Sequence, residues 1–196
     1  MTSSRGFVRH RIVQAALELF AEYGVKGTTL QMIADRLEVT KAAVYYHFHT
    51  KDEIVRAVAQ PLLEDIARVI RIADALPDPH SRREVAVSGF VELAVRHRGL
   101  SAIVQNDPAM STLAKTHVEL ENAVVKLITL LDGPDADVAH HIGTSMIIGG
   151  VSGVVTDARL RDVPDELLHR VLLDYAQHLL HTPKSLSAAV KPSGSV

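Results

Sequence analysis

Between Thr28 and Phe48 the chain reads TTLQMIADRLEVTKAAVYYHF, and this stretch leaves its backbone few alternatives. Two hydroxyl-bearing helix caps, Thr28 or Thr29 and then Thr40, stand ahead of two short runs of helical periodicity. In the first run Leu30, Ile33, Ala34 and Leu37 fall on one inward face. Glu38 and Val39 make a turn, and in the second run Val44 and Phe48 point back inward at i and i+4. The opposite side of the second helix carries Ala42 and Tyr46, flanked by Tyr45 and Lys41. A helix face that is small and basic at its start and aromatic further on suits entry into a DNA major groove. The small residue permits close approach, and the lysine reaches guanine acceptors. The tyrosine hydroxyls and the helix-opening threonines are then placed to donate to phosphates on either side. His47 lies nearer the inward side, where packing and phosphate contact are both open to it.

The flanking segments complete a small domain. Residues 1–6 are expected to be disordered, and a first helix is expected from Val8 to Tyr23. Its apolar stripe is Val8, Ile12, Ala15, Ala16, Leu19, Phe20 and Tyr23, and Gly24 ends it. Arg9 and Arg11 near its start either reach phosphate or are simply solvated. Thr50 to Glu53 reads as a capping box for a long fourth helix reaching about Ala75. Lys51 in its opening turn sits beside the second short helix and is placed for a phosphate. Pro61 inside this helix predicts a kink or break near Ala57, because proline removes a hydrogen bond and clashes one turn back.

The run VTKAAVYYHFHTKDEI, with TTLQMIADRL before it, resembles the DNA-binding domain of TetR-type transcriptional regulators: helix cap, small residue, YYHF and a lysine opening the next helix occur in register. One departure is Glu38, in the turn where the family usually has glycine; a non-glycine residue in a left-handed turn costs about 1 kcal/mol. The resemblance implies that Lys41, Ala42 and Tyr45 approach bases. It implies that Thr28, Thr29, Thr40, Tyr46 and Lys51 hold phosphates. The fold it implies is all-α: a helix-turn-helix domain over 1–52, joined by a long helix to a ligand-binding and dimerisation domain over 53–182. Residues 183–196, rich in Ser, Pro and Gly, are expected to form a disordered tail.

Composition agrees with such a chain and excludes some other functions. In 196 residues, 47% are hydrophobic and 22% charged, enough for a real core. With no cysteine, disulfides, thiol catalysis and thiolate metal sites are ruled out, and a reducing compartment fits. MTSSRGFVRHR lacks the apolar core of a secretory signal. The most apolar run, Met146 to Val155, is about half the length of a bilayer span. A cytoplasmic protein with no membrane partner is expected. Residues 1–60 hold eight Lys/Arg against six acids, so the remainder carries −4 of a net charge of −2. A mildly basic head on an acidic body is compatible with nucleic acid but weak as a signal for it.

Beyond the fourth helix the pattern predicts helices over 81–97, 111–131, 136–159 and 164–181, with a short segment over 100–105. Ser81 and Glu84 are expected to cap the first of these. Gly149, Gly150 and Gly153 lie in a helix interior, where each glycine costs about 1 kcal/mol relative to alanine. Their natural use is a close approach between helices, here between subunits. With Leu168, Leu172, Tyr175 and Leu179 on the last helix they read as half of an intersubunit four-helix bundle, the pair that forms the dimer interface in the resembled family. The resemblance also implies a cavity in the body, with Phe90, Leu93, His97, Val104, Met110, Leu113, His117 and Met146 as candidate lining. His97 and His117 are its polar members. Only 4% of residues are aromatic, which favours a ligand held by aliphatic contact.

Eleven histidines show no closely spaced His/Glu set, so no metal is expected. No phosphate-binding glycine loop or nucleophile motif is present, so neither cofactor nor catalysis is expected. The sequence therefore points to a homodimeric regulator that binds double-stranded DNA and answers to a small-molecule effector, most simply a repressor released from a palindromic operator. The rival is a helical ligand-binding or scaffold protein without sequence-specific DNA binding.

Overall fold

The computed structural model describes residues 2–106, 118–134 and 137–180. The described residues are all-α, with no strand. In chain order the helices are α1 (Thr2–Gly27), α2 (Leu30–Arg36), α3 (Lys41–His47), α4 (Lys51–Asp74), α5 (Pro79–Arg96), α6 (Arg98–Asn106), α7 (Val118–Asp132), α8 (Val138–Thr156) and α9 (Asp165–Leu180), with a 3-10 turn at Ala158–Leu160. Two compact units form. The first takes the described residues up to Asp65 and from His97 to Glu121; the second takes Ile66–Arg96 and those from Asn122 onward. The first thus runs beyond residue 52 and includes the opening half of α4 together with α6.

The first unit is built around the stripe of α1. Ile12, Ala16, Leu19 and Phe20 meet Ile33 and Ala34 of α2, Val44 of α3, Phe48, and Ile54, Val55 and Val58 of α4. Leu100 and Ile103 of α6 close the cluster. Each such large apolar side chain contributes about 1.5–3 kcal/mol on full burial, which is how two seven-residue helices too short to persist alone are held. Two expectations for α1 are corrected. Its helix begins at Thr2 rather than after residue 6, and Tyr23 is exposed rather than part of the stripe. Gly24, at φ 71 and ψ 165, breaks the regular helix where expected.

Helix α4 runs through Pro61 as one helix, so of the expected kink or break near Ala57 the break does not occur. Pro61 is exposed, and buried residues anchor the helix on either side: Ile54, Val55 and Val58 before it, Ile66, Val69 and Ile70 after it. In the second unit, α5 is buried nearly all round through Ala86, Val87, Gly89, Val91, Leu93, Ala94 and Val95. Its cap is Asp78, whose carboxylate accepts from the Ser81 backbone N–H at 2.8 Å and from the Ser81 hydroxyl at 2.7 Å. Ser81 is therefore a donor in the first turn, with Pro79 supplying the fixed φ at the helix start. Helix α9 packs on α5 and α8, burying Leu168, Leu172 and Ala176. Helix α8 turns Thr144, Ile147, Val151 and Val155 inward.

Candidate nucleic-acid interface

The α2–turn–α3 segment is fixed at each joint by a local hydrogen bond. Thr29, extended at φ −122, caps α2 by accepting from Met32 N–H through its side chain. Thr40 caps α3 by accepting from Ala43 N–H at 3.2 Å. Between them Glu38 takes φ 56, the left-handed conformation that the resembled family meets with glycine. The turn forms despite the residue. Behind α3, Val44 and Phe48 are almost wholly buried, which sets the rotation of the helix about its axis. The face turned outward is Lys41, Ala42, Tyr45 and Tyr46, all exposed, with Tyr46 at 63%. His47 is half-buried and meets the edge of Tyr46, ring centroids 5.3 Å apart.

Thr29 and Thr40 are exposed as well, and each uses its oxygen as the cap acceptor, leaving the hydroxyl proton available to an outside acceptor. Two of the sequence-selected phosphate contacts are placed otherwise. Thr28 is 1% exposed; its hydroxyl lies 3.1 Å from Leu19 O and 2.8 Å from Gly24 O, donating into the end of α1. The Lys51 ammonium donates to Val25 O at 2.6 Å, Thr28 O at 3.1 Å and Lys26 O at 3.3 Å. Three donors meet three carbonyls, so its side chain is not directed at a phosphate. The sequence showed the residue type and its place in the helix, but not the corner of chain folded against it.

The structure adds one neighbour of this face, His49, and places another, Arg9, that the sequence had already offered. His49 stands edge-on to Tyr45 with centroids 5.0 Å apart, and its i, i+4 spacing was the signal available in the sequence. The Arg9 guanidinium lies over the Phe48 ring at 4.7 Å, which brings a cation from α1 to the C-terminal end of α3. At the start of α4, Thr50 Oγ1 accepts from Glu53 N–H at 3.2 Å and Glu53 Oε2 accepts from His49 N–H at 2.9 Å. This is the expected reciprocal cap, displaced by one residue on the return bond.

The residues selected for a ligand pocket are not gathered into one described cavity. Leu93 is buried and Phe90 half-buried in the second unit, while Met146 is 56% exposed. Met146 lies in a shallow depression along α8 with Val138, His141, Ile142 and Ser145. His97 belongs to the first unit, and its Nε2 lies 2.9 Å from Asp65 Oδ2 with both side chains mostly buried. It is a paired group holding the start of α6 to α4, not a bare polar wall. The side chain of Val104 and the whole of Met110, Leu113 and His117 lie outside the described residues, as does the expected tail.

The candidate dimer residues divide. Gly149, Gly150 and Gly153 are all exposed, and among the described residues a Cβ added at any of them meets nothing within 4 Å. Tyr175 is exposed and Leu179 half-buried. Leu168 and Leu172 are corrected: they are buried in the chain's own core. The outer face of α9 is instead Leu167, Val171 and Tyr175, and that of α8 includes Val138, Ile142 and Met146. Among the described residues no group of three or more His, Cys, Asp or Glu is placed to hold a metal. Among the same residues no helix is long and apolar enough to cross a membrane.

Comparison with known proteins agrees with this geometry. A family model described as bacterial regulatory proteins, tetR family, matches residues 12–58, the span from α1 into the opening turns of α4. The chain is 33% identical over 138 residues to the HTH-type transcriptional regulator SrpR of Pseudomonas putida, covering 60% of this chain and 62% of that protein. It is 38% identical over 90 residues to the uncharacterized HTH-type transcriptional regulator TtgW, also of Pseudomonas putida, covering 38% of this chain and 67% of that protein. The match therefore spans somewhat under two thirds of SrpR. Among solved structures, the ketosteroid transcriptional regulator KstR2 of Mycobacterium tuberculosis superposes with a TM-score of 0.67 at 19% identity, over 88% of this chain and 92% of that one.

Proposed function

The chain belongs to the TetR family of bacterial regulatory proteins, and from that premise we propose that it is a ligand-responsive transcriptional regulator. It acts as a repressor, binds a palindromic operator as a homodimer, and is released by a small, largely apolar effector. The observation that carries the reading is the outward face of α3, where Lys41, Ala42, Tyr45 and Tyr46 are exposed on a helix whose rotation Val44 and Phe48 fix from behind. Lys41 and Ala42 at its N-terminal end read base edges, and Tyr45 lies alongside them. Thr29, Thr40, Tyr46 and His47 hold phosphates and set the register of the helix.

Homodimerisation is supported by the open apolar faces of α8 and α9. Val138, Ile142 and Met146 recur at i, i+4 and i+8 on α8, and no described residue of the chain fills the space above Gly149, Gly150 and Gly153. These are the residues a second copy covers, joined by Val171 and Tyr175, with Leu179 at the edge. The effector is assigned to the body, where the aromatic-poor sequence favours aliphatic contact. Regulation is a population shift: an effector with higher affinity for a state whose two heads do not match successive major grooves weakens operator binding by that difference in affinity.

Fluorescence anisotropy on a duplex enriched from genomic DNA, against a random duplex across a salt series, tests the reading. The wild type prefers the enriched duplex at every salt concentration. Lys41→Ala loses that preference at one base-pair position, a change of about 1–3 kcal/mol. A wild type whose affinity depends on salt alone overturns the reading.

A further inference from the structure

We propose that Lys51 is a positioning residue for operator reading, a buttress that joins the chain entering α2 to the chain leaving α3. The inference rests on the regulator reading above and assigns one residue a different part in it. Its origin is the corner after Gly24. Once Gly24 turns the chain at φ 71, the carbonyls of Val25, Lys26 and Thr28 converge on one point, and the Lys51 ammonium occupies it. A compact cation with three donors suits such a point.

The consequence comes from where the two ends lie in the chain. Residues 25–28 lead directly into α2. Lys51 opens α4 only a few residues after α3 ends, on a link already fixed by the Thr50–Glu53 cap. One side chain thus closes the helix-turn-helix into a ring. Thr28 fastens the same corner from inside through its bonds to Leu19 O and Gly24 O. The apolar core keeps α2 and α3 folded without Lys51, but the tilt of the reading face then loses its outer tie. Operator reading, which needs several groups in place together, suffers more than attraction to phosphate.

The test compares wild type, Lys51→Met and Lys51→Arg by anisotropy on the enriched and random duplexes, across a salt series and well below each protein's unfolding midpoint. For Lys51→Met the expected result is a loss on the enriched duplex of roughly tenfold, the size of one mismatched base pair. Random DNA is bound as before, and the salt slope is unchanged. Lys51→Arg keeps the charge, but its planar fork cannot converge on three carbonyls, so it restores operator affinity only in part. Should Lys51→Met fail to fold, the arginine variant decides alone. Equal losses on both duplexes, with a salt slope smaller by about 0.9, mark a phosphate contact and overturn the proposal. Unchanged operator affinity in the folded variants, or full recovery with arginine, also overturns it. A wild type without sequence preference fails differently: the regulator reading falls, and the positioning role falls with it.

Discussion

Glu38 sits at φ 56 in the turn between α2 and α3, a conformation that costs an L-residue about 1–2 kcal/mol. Glycine relieves that strain, while its freer unfolded chain costs about 0.4–1 kcal/mol. Glu38→Gly is therefore expected to stabilise the protein by roughly 0.5–1 kcal/mol, seen as a higher denaturant midpoint with an unchanged slope. A lower midpoint would mean that the glutamate side chain supports the turn. The turn and its strain were readable from the sequence, as were the caps at Thr40 and Thr50, because a cap is local: the hydroxyl and the N–H it accepts from lie three residues apart. Thr28 and Lys51 were not readable in this way. Their partners are set by the fold of the α1–α2 corner, 23 to 26 residues away for Lys51. Nothing in the spacing of TT or TKDE distinguishes a hydroxyl or ammonium facing solvent from one facing a carbonyl.

Among whole helices, α4 and α5 approach closely in the second unit. A Cβ built on Gly89 would stand 2.5 Å and 2.6 Å from the two methyls of Val69 and 3.2 Å from its Cβ. Valine is stiff at χ1 and cannot swing away, so Gly89→Ala should destabilise by about 1–3 kcal/mol as an overpacked contact, measured by chemical denaturation. The opposite holds along α8. An alanine at Gly149 meets nothing among the described residues, so its higher helix propensity alone would raise monomer stability by about 1 kcal/mol. If a second copy packs closely there, Gly149→Ala also raises the dimer dissociation constant in sedimentation equilibrium. An unchanged dissociation constant would remove Gly149 from the interface. The sequence pattern located the helices well because their stripes recur at helical spacing. It placed details less well where two residues of like chemistry compete, as with Asp78 and Ser81 for the α5 cap. The same difficulty separated Leu168 and Leu172, which are buried within the unit, from Leu167 and Val171, which face out. On a helix apolar on more than one side, periodicity alone does not say which stripe stays within the chain.

For the molecule as a whole, a seven-residue helix that reads DNA as proposed would contact only a few base pairs, so useful specificity would need two heads on a symmetric site. The exposed face of α3 and the open faces of α8 and α9 are thus two parts of one proposal, in which the first would read a half-site and the second would set the distance between half-sites. The most direct measurement is repeated selection of duplexes from a random pool by the purified protein, with the protein-to-DNA ratio of the final complex determined by analytical ultracentrifugation. The account predicts an enriched palindrome with half-site centres one helical turn or a multiple of it apart, about 10–10.5 base pairs per turn, bound by protein in pairs. A pool that stays random while binding falls with added salt would contradict it.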